Sequence, residues 1–240
     1  MSMSRDGYQT AWLLDERSRR GHIVASLEEL KQRRGIRGCD VVELGSGIGT
    51  NLRVFAAQCR VLGLESLPDA VATALGDGLP TLYADLEGPP WPLADASVDW
   101  LLCIDVLEHL LRPEDCLRQA VRLLRPTGRI VINIPNHFDW RGRLRIAFGA
   151  GIDSQRYFAG TPVWRYPHLR FLRRRDLVEL LDSVGLAIEE DLSPSNSSVP
   201  KAEALRRMGL GGLPRALTRA WPELFAPGFL FLCRSANATQ

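Results

Sequence analysis

Between Asp40 and Thr50 the chain reads Asp-Val-Val-Glu-Leu-Gly-Ser-Gly-Ile-Gly-Thr, and few folds accept such a run. Val41, Val42 and Leu44 make the short apolar stretch of a strand covered on both faces. Gly45, Gly47 and Gly49 interrupt it at once, and a helix is expected from near Asn51 with Leu52, Phe55 and Ala56 on one face. Glycine suits such a break because it tolerates positive φ and, lacking Cβ, lets a ligand approach the backbone. Strand, glycine turn, helix is the unit from which a doubly wound α/β domain builds a nucleotide crevice. The dinucleotide fingerprint G-x-G-x-x-G does not match, because here the third glycine falls one place early and Glu43 precedes the turn. A tight turn without any ligand is the plainer alternative.

The remaining chain keeps alternating. Arg60–Glu65 reads as a second strand, 68–75 as a helix, Pro80–Asp85 as a third strand, and Trp100–Ile104 as a fourth. Pro113 is placed to start a helix through Arg125, with Leu117, Ala120, Val121 and Leu124 as its apolar face, and Arg129–Ile134 is a fifth strand. Five strands with intervening helices imply a parallel sheet with helices on both faces. A helix over 175–184 and strands over 186–192 and 229–234 bring the count to seven. Residues 8–34 read as helical, with Ile23, Leu27 and Leu30 on one face and Gly35 as the stop. Tyr8 and Trp12 lead this segment, which makes 1–36 either a lid over the crevice or a terminal helix anchored to the core.

At 240 residues the chain is read as one domain, 1–240, with insertions at 136–168 and 193–226. Both insertions follow strands whose ends lie on the crevice side, where loops shape substrate pockets. A net charge of +2 gives no electrostatic case for nucleic acid or a membrane surface. Five scattered cysteines, none in a CxxC pair, argue against a disulfide framework or zinc site and fit a reducing cytoplasm. The N-terminus is too polar for a signal peptide, and no apolar run reaches membrane-spanning length. A cytoplasmic protein is expected, with no membrane or nucleic-acid partner and with its oligomeric state open, a homodimer included.

Two acids stand at strand ends beside the glycine turn. Glu65 lies 20 residues past Gly45, where a second-strand carboxylate accepts hydrogen bonds from both hydroxyls of a ribose. Asp85 closes the third strand in the same way, although alone it would read as an Asx-turn residue. Together with Glu43-Leu-Gly-Ser-Gly-Ile-Gly49, Asp105-Val-Leu-Glu-His109 and Leu123-Leu-Arg-Pro-Thr-Gly128, they occur in an order and spacing that resembles the class I S-adenosylmethionine-dependent methyltransferases. The resemblance runs over about residues 38–190 and is closest to the group holding ubiquinone-biosynthesis O-methyltransferases and MetW-like proteins. Ser46, where a cysteine or another small residue is common, and Thr127, where a second glycine is usual, depart from the pattern.

The resemblance implies a doubly wound, mostly parallel seven-stranded sheet with an antiparallel last strand. It implies S-adenosyl-L-methionine as methyl donor, held by Glu43, Gly45, Ser46, Gly47, Gly49, Glu65, Ser66, Asp85, Leu86, Cys103, Ile104 and Asp105. Asp85 would receive the adenine amino group and the Leu86 N–H a ring nitrogen. A sulfonium methyl is already activated, so the protein must chiefly align an acceptor and, for a hydroxyl or amine, remove its proton. His109 and His168 are the candidate bases because imidazole titrates near neutrality; a purely structural role is the alternative for each. Tyr8, Trp12, Trp140 and Tyr166 are aromatics available to a sulfonium.

Asp105, Glu108 and His109 with a later histidine also resemble the metal set of small-RNA 2′-O-methyltransferases. The aspartate is shorter than the glutamate found there, and no metal ligand is assigned. Arginines 141, 143, 145, 156, 165, 170, 173, 174 and 175 suit an anionic acceptor or simply a solvated basic face. The expected activity is methyl transfer to a small molecule, more readily to oxygen than nitrogen. A MetW-like regulatory partner without catalysis is the alternative, and a nicotinamide oxidoreductase is disfavoured by the displaced glycine and Asp85.

Overall fold

A computed structural model describes residues 23–88, 90–152 and 168–236. The strands are β1 (Asp40–Leu44), β2 (Arg60–Glu65), β3 (Thr81–Tyr83), β4 (Val98–Ile104), β5 (Leu124–Pro135), β6 (Leu186–Asp191) and β7 (Gly228–Ser235). They form one sheet in the order β3-β2-β1-β4-β5-β7-β6. β1 to β5 pair in parallel, whereas β7 lies antiparallel between β5 and β6. The expected seven-stranded architecture is therefore present. β7 is an interior strand because its run from Phe229 to Cys233 is buried throughout, which requires cover on both faces.

Successive residues of a strand point to opposite faces, and the core divides accordingly. On one side Val42, Leu44, Leu101, Cys103, Ile130 and Ile132 pack with Leu117, Ala120 and Leu123 of the helix Pro113–Leu123 and with Leu177 and Leu181 of Arg174–Ser183. On the other, Val41, Leu102, Ile104, Val131 and Leu232 meet Leu27 and Leu30 of the helix Val24–Arg34, together with Leu52 and Phe55. Gly35, at φ +60, ends Val24–Arg34 by donating its N–H to the Gln32 carbonyl, and Ile36 donates to that of Lys31. The upstream part of the expected 8–34 helix, with Tyr8 and Trp12, lies outside the described residues.

Three local readings change. The helix after the glycine turn is short, Arg53–Ala56; Leu52 and Phe55 are buried but Ala56 is exposed. The helix from Pro113 stops at Leu123, not Arg125, and Leu124 already pairs with Val98 as the start of β5. Pro126 disfavours helical φ/ψ at Arg125, and a register irregularity between Val98 and Trp100 lets the two strands pair earlier. Both insertions contain helices that no clean periodicity announced: Trp140–Ala147 in the first, and Ala202–Arg207, Gly212–Ala220 and Pro222–Phe225 in the second. They are joined by Trp140 Nε1–H donating to the Ser198 carbonyl (2.7 Å) and Asn136 Nδ2–H donating to that of Ala226 (2.8 Å). Among the described residues, no helix is long and apolar enough to cross a membrane.

Candidate active site

Because β1 to β5 are parallel, their C-terminal ends share one edge, and Gly45, Ser66, Asp85 and Asp105 follow strands that end there. The glycine turn follows β1. Gly45 and Gly49 hold φ of +62° and +80°. A Cβ at Gly45 would sit 2.7 Å from Val106 Cγ2, and one at Gly49 2.3 Å from Leu79 Cδ1, so a side chain is excluded twice over.

Glu65 does more than the sequence suggested. Its carboxylate accepts N–H bonds from Gly47 (2.7 Å), Ser66 (2.7 Å) and Leu67 (2.8 Å), fastening the glycine turn to the tip of β2. A carboxylate has about four lone-pair sites, so one remains for a ligand hydroxyl. Ser66 is exposed and contributes that backbone N–H. Glu43, fully buried in β1, accepts from Asn51 Nδ2 (2.7 Å), while its second oxygen and the Ser46 hydroxyl are buried without a hydrogen-bond partner. Such orphaned polar atoms beside a bare glycine backbone fit a site that a polar ligand completes.

Burial pushes the Glu43 carboxyl up to about 8, with the Glu65 charge a smaller contributor and the Asn51 bond opposing. The folded group thus keeps its proton to a higher pH than the unfolded one. Its contribution to stability is complete below about pH 4.5 and is lost as pH rises through about 8. Glu43→Gln preserves an acceptor for Asn51 and cannot ionise. Thermal melts should place the variant a few degrees above the parent at about pH 9 and no higher at about pH 5.

The other predicted donor residues are placed as follows. Asp85, past β3, is exposed and accepts from the Glu87 N–H (2.9 Å), so the Asx turn is formed. Half-buried Leu86 follows, and a cleft of about 600 Å³ opens beside it, lined also by Glu87, Trp91, Arg112 and Arg118. None of the glycine-turn residues lines this cleft, so it adjoins the donor edge without forming it. The side chains of Cys103 and Ile104 are buried in the two cores, which leaves only their backbone for a ligand. Asp105 takes left-handed φ (54°), a conformation aspartate tolerates, and accepts from Asn133 Nδ2 at 2.5 Å.

That backbone reversal leads into a 3₁₀ turn, Leu107–His109, which sets Glu108 inward and leaves His109 partly exposed. The Glu108 carbonyl accepts the N–H groups of Leu169 (2.7 Å) and Arg170 (3.1 Å), which brings His168 back onto this turn. His109 and His168 meet edge to face with centroids 4.8 Å apart. His137, just past β5, completes the group: its Nε2 is 2.9 Å from His168 Nδ1 and its ring packs on Phe171. Sequence reading missed His137; its signal was its place two residues after β5, at the same edge as the other sites.

Burial, with His109 and His137 as smaller contributors, depresses His168 to about 2, so this imidazole is neutral. Glu108 is likewise driven well above the usual carboxylate range by burial and by Asp105, and both its oxygens are buried without a hydrogen-bond partner. Ligand atoms of Glu108, His109 and His168 lie within 4.8 Å of one another. One carboxylate with two imidazoles is a donor set suited to a divalent ion that accepts nitrogen. Asp105 is not among them, so the carboxylate-rich set suggested by resemblance is not assembled among the described residues.

The arginine run is largely engaged by the protein itself. Arg173 pairs with Asp176 (2.7 Å), Arg174 with Asp191 (3.1 Å), and Arg143 lies 3.9 Å from Glu223. Arg170 donates to the Leu111 carbonyl, and Arg141 lies over the Trp140 ring at 5.2 Å. Arg156, Arg165 and Tyr166 fall outside the described residues.

Comparison with known proteins agrees with this geometry. A family model described as a methyltransferase domain matches residues 13–191. A protein of Mycolicibacterium smegmatis bearing the name of an S-adenosylmethionine-dependent methyltransferase is 32% identical over 158 residues, covering 65% of this chain and 54% of that protein. A ubiquinone biosynthesis O-methyltransferase of Rickettsia bellii is 24% identical, covering 65% of this chain and 64% of its own length. The chain thus spans between about half and two thirds of these curated relatives. Among solved structures, a complex between the Haloferax volcanii Trm112 methyltransferase activator and a methyltransferase aligns with a TM-score of 0.61 at 20% identity, covering 98% of this chain and 99% of that one, which speaks for the fold. The strand-tip acids, the glycine turn and the family match converge: this chain belongs to the methyltransferase-domain family, in the class I group that uses S-adenosylmethionine.

Proposed function

We propose that the chain transfers the S-adenosylmethionine methyl group to an oxygen of a small-molecule acceptor. The observation that carries this is the adjacency, on one sheet edge, of the Glu65-clamped glycine turn after β1 and the partly exposed His109 after β4, since β1 and β4 are neighbours. The donor supplies a methyl already activated on sulfur. Gly45, Gly47 and Gly49 present bare backbone to its amino-acid tail, beside Glu43 and Ser46. Glu65 accepts from the ribose, and Asp85 with the Leu86 N–H reads the adenine edge. His109 takes the acceptor proton. His168, neutral and held by His137, fixes the His109 ring by its edge contact.

The relative named for ubiquinone biosynthesis favours oxygen. An anionic acceptor would draw on Arg141, exposed beside Trp140, more than on the paired arginines. We assign the described parts of the two insertions to the walls of the acceptor pocket, while Val24–Arg34, seated on the sheet through Leu27 and Leu30, is a helix anchored to the core and not a lid. Calorimetry with S-adenosylmethionine is expected to show binding that weakens about tenfold in Asp85→Ala, the worth of one good hydrogen bond to a ligand. A labelled donor incubated with cell extract should give a labelled small molecule. No donor binding would overturn the enzyme reading. Binding without transfer would favour the MetW-like alternative, in which the fold serves a second enzyme.

A further inference from the structure

We infer that Cys39 and Cys59 form a reversible disulfide site, oxidised by peroxide, that staples the N-terminal ends of β1 and β2 beneath the donor turn. Their sulfurs lie 3.3 Å apart, and both residues are partly accessible. This nearness was invisible in the sequence, where 20 positions separate them. It follows from strand register: Asp40 pairs with Arg60, so each cysteine is the residue just before its strand. The Arg60 N–H donates to the Cys39 carbonyl (3.0 Å) and Gly38 N–H to that of Gln58 (2.7 Å), which extends the ladder past both positions. A bonded sulfur pair is about 2.05 Å apart, so closure asks little more than about 1 Å of side-chain movement. Cys103, Cys116 and Cys233 are all buried.

The chemistry balances with one peroxide. One cysteine sulfur attacks a peroxide oxygen, breaking the O–O bond and leaving a sulfenic acid and one water. The second sulfur displaces the sulfenic hydroxyl as another water, forming the S–S bond. Two thiol protons and two electrons thereby pass to the oxidant. Burial first, then Cys59 and the carboxylates of Asp99 and Asp40, push the Cys39 thiol up to about 12. The Cys39 thiolate is therefore scarce near neutrality, and Cys39 reacts slowly, under sustained oxidant. The closed loop holds the whole of β1, Gly45, Gly47, Gly49 and the helix Arg53–Ala56, so the link constrains the segment on which donor binding depends.

The full chain, purified under reductant, would be exposed to hydrogen peroxide, alkylated, digested with trypsin and weighed. The expected result is peptides 38–53 and 54–60 joined, about 2 Da lighter than the two thiols, released by dithiothreitol. The oxidised protein should melt about 5–10 °C higher than the reduced one. Cys39→Ser should show neither change while melting like the reduced parent. Recovery of both cysteines as alkylated thiols, links between two chains, or an unchanged melting temperature after linking would each overturn the proposal.

Discussion

Glu65→Ala is expected to lower the melting temperature by about 6–12 °C and to weaken S-adenosylmethionine binding by more than about a hundredfold. Three N–H groups converge on that carboxylate, from Gly47, Ser66 and Leu67. Removing it leaves the Gly47 and Leu67 donors buried and unpaired, at about 1–3 kcal/mol each, while exposed Ser66 recovers water. A loss of about 3 kcal/mol moves the midpoint of a chain this size by the stated amount. Affinity falls further because the ribose loses its acceptor and the turn loses the contact that presents its backbone. About 1.4 kcal/mol per tenfold makes two such losses worth at least a hundredfold. Glu65→Gln, which keeps one acceptor oxygen, should fall between parent and alanine in both readouts. Scanning calorimetry and isothermal titration measure them; an alanine variant that melts and binds like the parent would remove Glu65 from both roles.

The double duty of Glu65 also shows where sequence reading succeeds and where it stops. Strand-end acids were legible because strand length and helix length fix which residues reach the shared edge, and those are local properties. The apolar run Phe229–Cys233 was legible as a strand for the same reason, but its place between β5 and β6 depends on which sheet position can bury both faces. What the carboxylate holds was not legible, since a 2.7 Å contact with Gly47 depends on how β2 and the turn meet in space. His137 stayed hidden likewise: its partner His168 is 31 residues away, and only the anchoring of Leu169 and Arg170 on the Glu108 carbonyl brings them together. Cys39 and Cys59 were read as scattered because their proximity is a matter of strand register. The insertions lacked helical periodicity because their helices are short and bury few residues, as with Trp140–Ala147, where Gly142 is the buried one.

His109→Ala is expected to reduce kcat by about 10²–10⁴-fold while leaving the donor Kd within about twofold, the range for removal of a positioned general base. The side chain is 22% exposed, on the turn after β4, and none of the donor contacts assigned here passes through it. Its loss should also remove the pH dependence that a general base imparts to kcat. His168→Ala makes a contrasting case. That ring is 7% exposed and already neutral, so it has no proton-accepting limb to lose. Its removal opens a cavity between His109 and His137, which should lower the melting temperature by several degrees and reduce kcat by a smaller factor, through a less well held His109. His137→Gln retains a hydrogen-bonding group toward His168 and should recover most of the activity that His137→Ala loses. The order His109 above His168 in kcat, with the reverse order in melting temperature, separates a base from its support. Equal kcat losses with identical pH profiles would mean that neither ring takes the proton.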